Sequence, residues 1–314
     1  MSTPRIAVLG AGGVGSYYGA LLARSGVDVT LIARGEHLDA IRSRGLVVRT
    51  PEGEWTSQVP ATSDPAAVAR DFGRDDFAIL SVKAYALDSV LPAVHEFAGR
   101  GATVLPLLNG VDTTERLVNG GVDAARVLGG ITYISAARVS PGAVERSGDF
   151  QRVIAGEMDA PASPRVDTIV GLFRDAGVDA TAANDIRLEL WRKFVFLSAI
   201  AGVCGAARLS IGPIRDTANG LEMLIRAVRE GAAVARAEGV AYSADDEAAA
   251  IQRITALPGG MKPSLLLDVE EGRQTEIESL SGTVCALGRR LGVATPVHEA
   301  AMAHVSGGTV LPVG

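Results

Sequence analysis

The chain has 314 residues, 47% of them apolar and only 4% aromatic, with a net charge of −6 and a pI near 5.4. That length is natural for two folded domains with Ala, Val and Leu cores, and the acidic balance argues against nucleic acid as the main partner. No apolar run reads as a bilayer span and the start shows no signal-peptide profile, so a cytoplasmic protein without a membrane partner is expected.

In chain order, Arg5 to Leu9 reads as a short buried strand running into Gly10-Ala11-Gly12-Gly13-Val14-Gly15. This is a G-x-G-x-x-G placed where a strand turns into a helix, here Ser16 to Arg24. Gly10 allows the tight turn, Gly12 lets the backbone approach a pyrophosphate, and Gly15 brings the helix close to the strand. The helix start then offers free N–H groups and a positive dipole end to phosphates. Val27 to Ala33 is the next strand, and it ends in Arg34. An acid at that point binds a ribose 2′-hydroxyl, whereas an arginine accommodates a 2′-phosphate. Arg34 therefore points to NADP(H); the alternative is a solvated loop residue before Gly35.

A helix from His37 to Ser43 and a hairpin-like stretch from Gly45 to Val59 follow. Phe77 to Val82 is a strand, Leu87 to Phe97 a helix, and Thr103 to Leu108 a strand. Val127 to Ser135, Val139 to Val144 and Arg152 to Ala155 read as further strands. Such alternation implies a mainly parallel sheet covered by helices, with ligands at the carboxyl ends of the strands. From Ile186 the texture is helical: Leu188 to Cys204, Gly220 to Glu238, Ala244 to Ala256 and Glu278 to Leu291. Asn219, Ser243 and Thr295 read as caps, the last followed by Pro296. The fold class is thus an α/β nucleotide-binding domain over 1–184 followed by an all-α substrate and catalytic domain over 185–314. The end from Val305 to Gly314 is expected to fray.

Chemistry is signalled by a scarcity. Only three of the 30 basic residues are lysines: Lys83, Lys193 and Lys262. Arginine stays protonated, whereas a lysine pKa shifts with burial and can serve proton transfer. Lys83 follows a buried strand in Ser81-Val82-Lys83, and Lys193 sits in the apolar helix segment Leu190-Trp191-Arg192-Lys193-Phe194. Asn109, in Leu108-Asn109-Gly110, follows the next strand; its amide can both donate and accept, or it is simply a turn residue. The two cysteines (Cys204, Cys285) and four histidines form no metal or triad spacing, and the cysteines read as reduced core thiols.

Five segments in order resemble the ketopantoate reductase (2-dehydropantoate 2-reductase) family over nearly the whole chain. They are the glycine motif, Ser81-Val82-Lys83, Leu108-Asn109-Gly110, Trp191-Arg192-Lys193-Phe194, and Ser264 to Gly282. The resemblance implies a Rossmann-type first domain and reduction of a 2-oxo acid by NADPH. It implies that Lys193 is the general acid, that Arg34 and Lys83 contact the cofactor phosphates, and that Asn109, Ser264 and Glu276 hold the substrate and the reacting end of the cofactor. Glu276 is also a partner for charged Lys193; its alternative is a helix-start carboxylate. The helix of the catalytic lysine usually presents asparagines four and eight residues later in this family; here those positions are Leu197 and Ala201. Ser198 is a candidate to restore one hydrogen bond. Arg208 is a candidate carboxylate clamp, or an exposed residue at a helix end.

Three functions are weighed. The first is reduction of ketopantoate to pantoate in pantothenate biosynthesis. The second is reduction of a less polar 2-oxo acid or ketone by the same machinery. The third is a non-catalytic NADP(H) sensor, against which Lys193, Asn109 and Glu276 together argue. The stripe Leu221, Leu224, Ile225 and Val228 reads as core rather than interface, and a homodimer through the helical domain is left open.

Overall fold

The computed structural model describes residues 3–161 and 163–307, apart from the side chain of Asp149. The chain forms two compact units: one of residues 1–108 and 112–186, the other of residues 109–111 and 187–314.

The first unit opens with β1 (Arg5–Leu9), α1 (Gly13–Arg24), β2 (Asp28–Ile32), α2 (Gly35–Arg44), β3 (Leu46–Thr50) and β4 (Gly53–Ser57). It continues with β5 (Ala61–Thr62), α3 (Pro65–Ala69), β6 (Phe77–Leu80), α4 (Leu87–Gly99), β7 (Thr103–Pro106) and α5 (Thr113–Asn119). It closes with β8 (Gly129–Ser140), β9 (Ala143–Gly156), α6 (Pro164–Asp175) and β10 (Asp179–Ala182). Strands β5-β2-β1-β6-β7 form a five-stranded sheet in which every pair is parallel. Its central strands are apolar along their length because helices cover both faces. Ile6, Ala7 and Val8 are fully buried, as are Ala78, Ile79 and Leu80. Each large aliphatic side chain so buried contributes about 1.5–3 kcal/mol.

The antiparallel pairs lie apart, in a second sheet of order β10-β9-β3-β4 with β8 paired to β9. Here the structure corrects two strand readings. Val127 to Ser135 and Val139 to Val144 are not separate strands; β8 is a single strand that ends at Ser140, and Pro141-Gly142 makes the turn into β9. The alternating apolar residues on both sides masked a Pro-Gly turn, in which Gly142 takes φ +76°. That turn is fastened to α2. The Gly142 N–H donates to His37 Nδ1 at 2.9 Å, and Arg44 Nη2 donates to the Pro141 carbonyl at 2.8 Å. His37 therefore carries its hydrogen on Nε2, which faces Ser16 Oγ of α1 at 3.3 Å.

The second unit contains α7 (Ile186–Ala207), α8 (Ile211–Arg215), α9 (Ala218–Ala237), α10 (Ala244–Ala256), α11 (Ser264–Glu270), α12 (Thr283–Leu291) and α13 (Pro296–Ser306). The expectation that no apolar run is of spanning length needs correction. At 22 residues, α7 is long and apolar enough to cross a membrane, because its charges are confined to its first two turns. It is instead the central core helix of this unit, with 72% of its most apolar window buried. Leu224 and Val228 are fully buried, so that stripe on α9 is core.

Caps follow sequence only in part. Ser243 makes a full capping box with Asp246. The cap of α9 is Thr217, whose hydroxyl accepts from the Gly220 N–H, rather than Asn219. Thr295 precedes α13 but its side chain caps nothing; the Glu230 carboxylate of α9 instead accepts from the N–H groups of Val297 and His298 at 3.0 and 3.1 Å. Val305 and Ser306 belong to α13, and the rest of the end expected to fray, 308–314, lies outside the described residues.

Candidate active site and cofactor turn

In the sheet unit, the site is built from backbone. The Ser81 N–H donates to the Leu9 carbonyl at 2.8 Å, so the ends of β1 and β6 are side by side. Gly10 leaves β1 with φ +106°, and a Cβ there would sit 2.5 Å from the Ser81 carbonyl oxygen. A Cβ on Gly15 would collide with the Gly10 carbonyl oxygen, and one on Gly13 with the backbone of Ala136 in β8. Gly12 differs from all three: a Cβ there would meet nothing within 4 Å. Gly12 is the N-cap of α1, and no side chain caps that helix start. The half-buried side chain of Val14 packs against the core. The arrangement fits a dinucleotide: packing demands glycine at 10, 13 and 15, while the open space beside Gly12 faces uncapped helix N–H groups, where a pyrophosphate is stabilised.

Strand order places β2 and β6 on either side of β1. Arg34, exposed, is the N-cap of α2 just past β2; Lys83, half-buried, starts a short 3₁₀ turn just past β6. Both therefore stand at the carboxyl edge of the sheet, flanking the glycine turn. A groove of about 520 Å³ beside Trp55 and Arg24 opens at the other end, by Val27 and Asp28 at the start of β2, and is not the cofactor turn.

In the helical unit the site is built from side chains. Asn109 belongs to this unit although it follows β7 in sequence. Lys193 Nζ, on the second turn of α7, donates to Asn109 Oδ1 at 2.9 Å. Asn109 Nδ2 donates to Glu276 Oε2 at 3.5 Å. The amide is thus oriented by its neighbours, oxygen to the ammonium and nitrogen to the carboxylate. Glu276 is 5% exposed and lies just before a π-helical turn, Glu278–Gly282, that leads into α12. Burial pulls the Lys193 ammonium down to about 8; the Glu276 carboxylate opposes that shift and the Arg253 charge adds to it.

Two predicted substrate residues stand elsewhere. Ser198 is fully buried, and its hydroxyl donates to the Val195 carbonyl of its own helix at 3.4 Å. Five residues past Lys193, it is turned roughly 140° around the helix axis, into the core. Arg208 is exposed, in left-handed backbone with φ +53°, beyond the end of α7. Fourteen residues of helix separate Lys193 from Ala207, about 21 Å along the axis, so Arg208 cannot clamp a small acid held at Lys193. Its position is a helix C-cap, where the Leu209 N–H returns to the Cys204 carbonyl at 3.3 Å. Ser264 is the exposed first residue of α11. Of the two positions where the family usually has asparagine, Leu197 is half-buried and Ala201 is 1% exposed.

Sequence reasoning missed Arg253. It lies on α10 with its guanidinium carbon 4.3 Å from the centre of the Phe196 ring. One arginine among many carries no signal in sequence; only folding brings it to the lysine helix.

A nucleotide-binding sheet unit with a partly buried Lys–Asn–Glu cluster on a helical unit is the architecture of a nicotinamide-dependent oxidoreductase. The family model for ketopantoate reductase PanE/ApbA matches residues 6–160, and that for its C-terminal part matches residues 185–308. The chain belongs to the ketopantoate reductase family, oxidoreductases of the 2-dehydropantoate 2-reductase type. It is 30% identical to the uncharacterized oxidoreductase YkpB of Bacillus subtilis, over 95% of this chain and 96% of that protein. The crystal structure of 2-dehydropantoate 2-reductase from Geobacter metallireducens superposes with a TM-score of 0.87 at 30% identity, over 97% and 100% of the two chains. A D-mandelate dehydrogenase complex with NADH gives a TM-score of 0.84 at 25% identity, over 97% and 98%.

Proposed function

We propose that this protein reduces a 2-oxo acid to the 2-hydroxy acid with NADPH, and that 2-dehydropantoate is the leading substrate, in pantothenate biosynthesis. The observation that carries the reading is the Lys193–Asn109–Glu276 chain of hydrogen bonds. When bound, the nicotinamide supplies a hydride to the carbonyl carbon. Negative charge then grows on the carbonyl oxygen. The Lys193 ammonium stabilises that charge and donates its proton, leaving a neutral amine that water reprotonates; general-acid help of this kind is worth roughly 10²–10⁴ in rate. A lysine held near 8 is charged at neutral pH, yet gives up a proton far more readily than an exposed one. Asn109 aims the ammonium, and Glu276 keeps it charged and accepts from a substrate hydroxyl.

NADPH rather than NADH is supported by Arg34 at the end of β2, where an acid would favour NADH. Glycine turn residues 10, 12, 13 and 15 with Val14, together with Lys83, are the proposed phosphate contacts. A second reading is favoured by Leu197: an apolar side chain one turn from Lys193 suits a bulkier, less polar 2-oxo acid, of the kind named by the mandelate dehydrogenase neighbour. The test is oxidation of NADPH and of NADH at 340 nm with ketopantoate and with benzoylformate. Fast, Lys193-dependent turnover of ketopantoate supports the first reading; turnover of the aryl acid alone moves the assignment to the second; none with either defeats both.

A further inference from the structure

Resting on that reading, we propose that Arg253 binds the carboxylate of the 2-oxo acid, the role that sequence assigned to Arg208. Phe196 is three residues after Lys193, so the two side chains are neighbours on α7, with Cβ atoms about 5–6 Å apart. The Arg253 guanidinium lies over the Phe196 ring at 4.3 Å, which places a second cation beside the helix that carries Lys193. The Arg253 charge is also among the influences that lower the Lys193 pKa, after burial and against the Glu276 carboxylate.

The stack explains why arginine suits the task. A guanidinium lying on an aromatic face satisfies that face by cation–π attraction, and its N–H donors project in its own plane. A carboxylate approaching in that plane is met by two parallel donors. Arg253 is exposed, and its contact with the Phe196 ring holds the guanidinium over the lysine helix. A 2-oxo acid carries its carboxylate on the carbon next to the carbonyl. One group fixed by Arg253 and the other facing Lys193 would orient the carbonyl oxygen toward its proton donor. Leu197, half-buried one turn from Lys193, offers an apolar remainder of the acid an apolar neighbour on α7.

Arg253→Met keeps length and contact with Phe196 but removes the charge; Arg253→Lys keeps the charge without the fork. Each is compared with the unaltered protein for a 2-oxo acid, for its methyl ester, and for binding of oxamate, a non-reducible 2-oxo carboxylate analogue, by calorimetry. Arg253→Met is expected to raise KM for the acid roughly 10–100-fold, the loss of a charge-assisted pair, and to weaken oxamate equally. The ester's KM and that of NADPH stay unchanged, and Arg253→Lys falls between. An unchanged preference for acid over ester in Arg253→Met, or oxamate affinity that is absent or independent of Arg253, overturns the assignment. Arg253-dependent oxamate binding with no turnover of any oxo acid upholds it while defeating the reductase reading.

Discussion

The glycine turn and the lysine cluster do comparable jobs with opposite materials. At the turn, four glycines within six residues shape backbone, and three of them are demanded by neighbouring atoms rather than by any ligand. At the cluster, three side chains from residues 109, 193 and 276 are brought together by folding, and each is held by polar partners. A backbone site is local and tolerates no added atoms; a side-chain site is dispersed and depends on burial to tune its chemistry.

The sharpest way to break this contrast is to remove the tuned group. Lys193→Ala should lower kcat by roughly 10²–10⁴, the usual worth of a general acid, with the affinity for NADPH unchanged in a fluorescence titration. Equal losses in cofactor affinity would show that the cluster is not separable from the turn. The pH profile refines the same point. Reduction needs charged Lys193, so kcat/KM should be level below about 8 and fall as pH rises through it. Glu276→Gln removes the influence that raises Lys193 and should move that descending limb to lower pH.

Stability offers a second test, about 3 kcal/mol in size. His298 is buried, its Nε2 donating to the Ala227 carbonyl at 3.0 Å and its Nδ1 accepting from Ser281 Oγ at 3.1 Å. Burial holds its pKa down at about 4 from an ordinary 6.5. Between those values the unfolded chain binds the proton and the folded one does not, so stability is complete above about 6.5 and declines as pH falls toward 4. A depression of that size corresponds to about 3 kcal/mol. Urea melts at pH 7 and 4.5 should show the decline, and His298→Gln should flatten it; an unaltered pH dependence in that variant would remove His298 from the account.

These regions also differ in how far they could be read from sequence. The strand–glycine–helix order made the turn legible because its determinants are contiguous. Lys193 was legible through composition, since a lysine amid so many arginines in an apolar helix stands out. The pairing of Lys193 with Asn109, across 84 residues, was not, because nothing in spacing says which loops meet. Arg208 and Ser198 were misplaced for a simple reason: proximity in sequence along a straight helix becomes distance along its axis or rotation away from the site. The β8–β9 turn was missed because apolar residues flank Pro141-Gly142 on both sides.

Within the turn, glycines can be told apart by what they cost. Gly15→Ala forces a methyl into the Gly10 carbonyl and against Val8, so it should lower the melting temperature by several degrees, the effect of roughly 1–3 kcal/mol of overpacking. Gly12→Ala meets no protein atom and has ordinary backbone angles, φ −78° and ψ −163°. It should melt within about 2 °C of the parent yet bind NADPH distinctly more weakly. If both variants lose stability alike, the space beside Gly12 is not kept clear for a phosphate.

The smallest expected effect bears on substrate choice. Leu197 is half-buried one turn after Lys193, whereas Ala201, two turns on, is sealed in the core. Of the two departures from the family's asparagines, only Leu197 can still meet a substrate. Leu197→Asn adds a donor and acceptor where a polyol-like acid would present its hydroxyl, and removes apolar surface that a bulkier acid would cover. One hydrogen bond gained is worth about 1 kcal/mol, so kcat/KM for ketopantoate should rise by a factor of about 5, and that for benzoylformate should fall by a similar factor. A shift of both substrates in the same direction would mean that Leu197 acts through the packing of α7 and not as a wall of the site; opposite shifts would locate the choice of substrate on this single turn of helix.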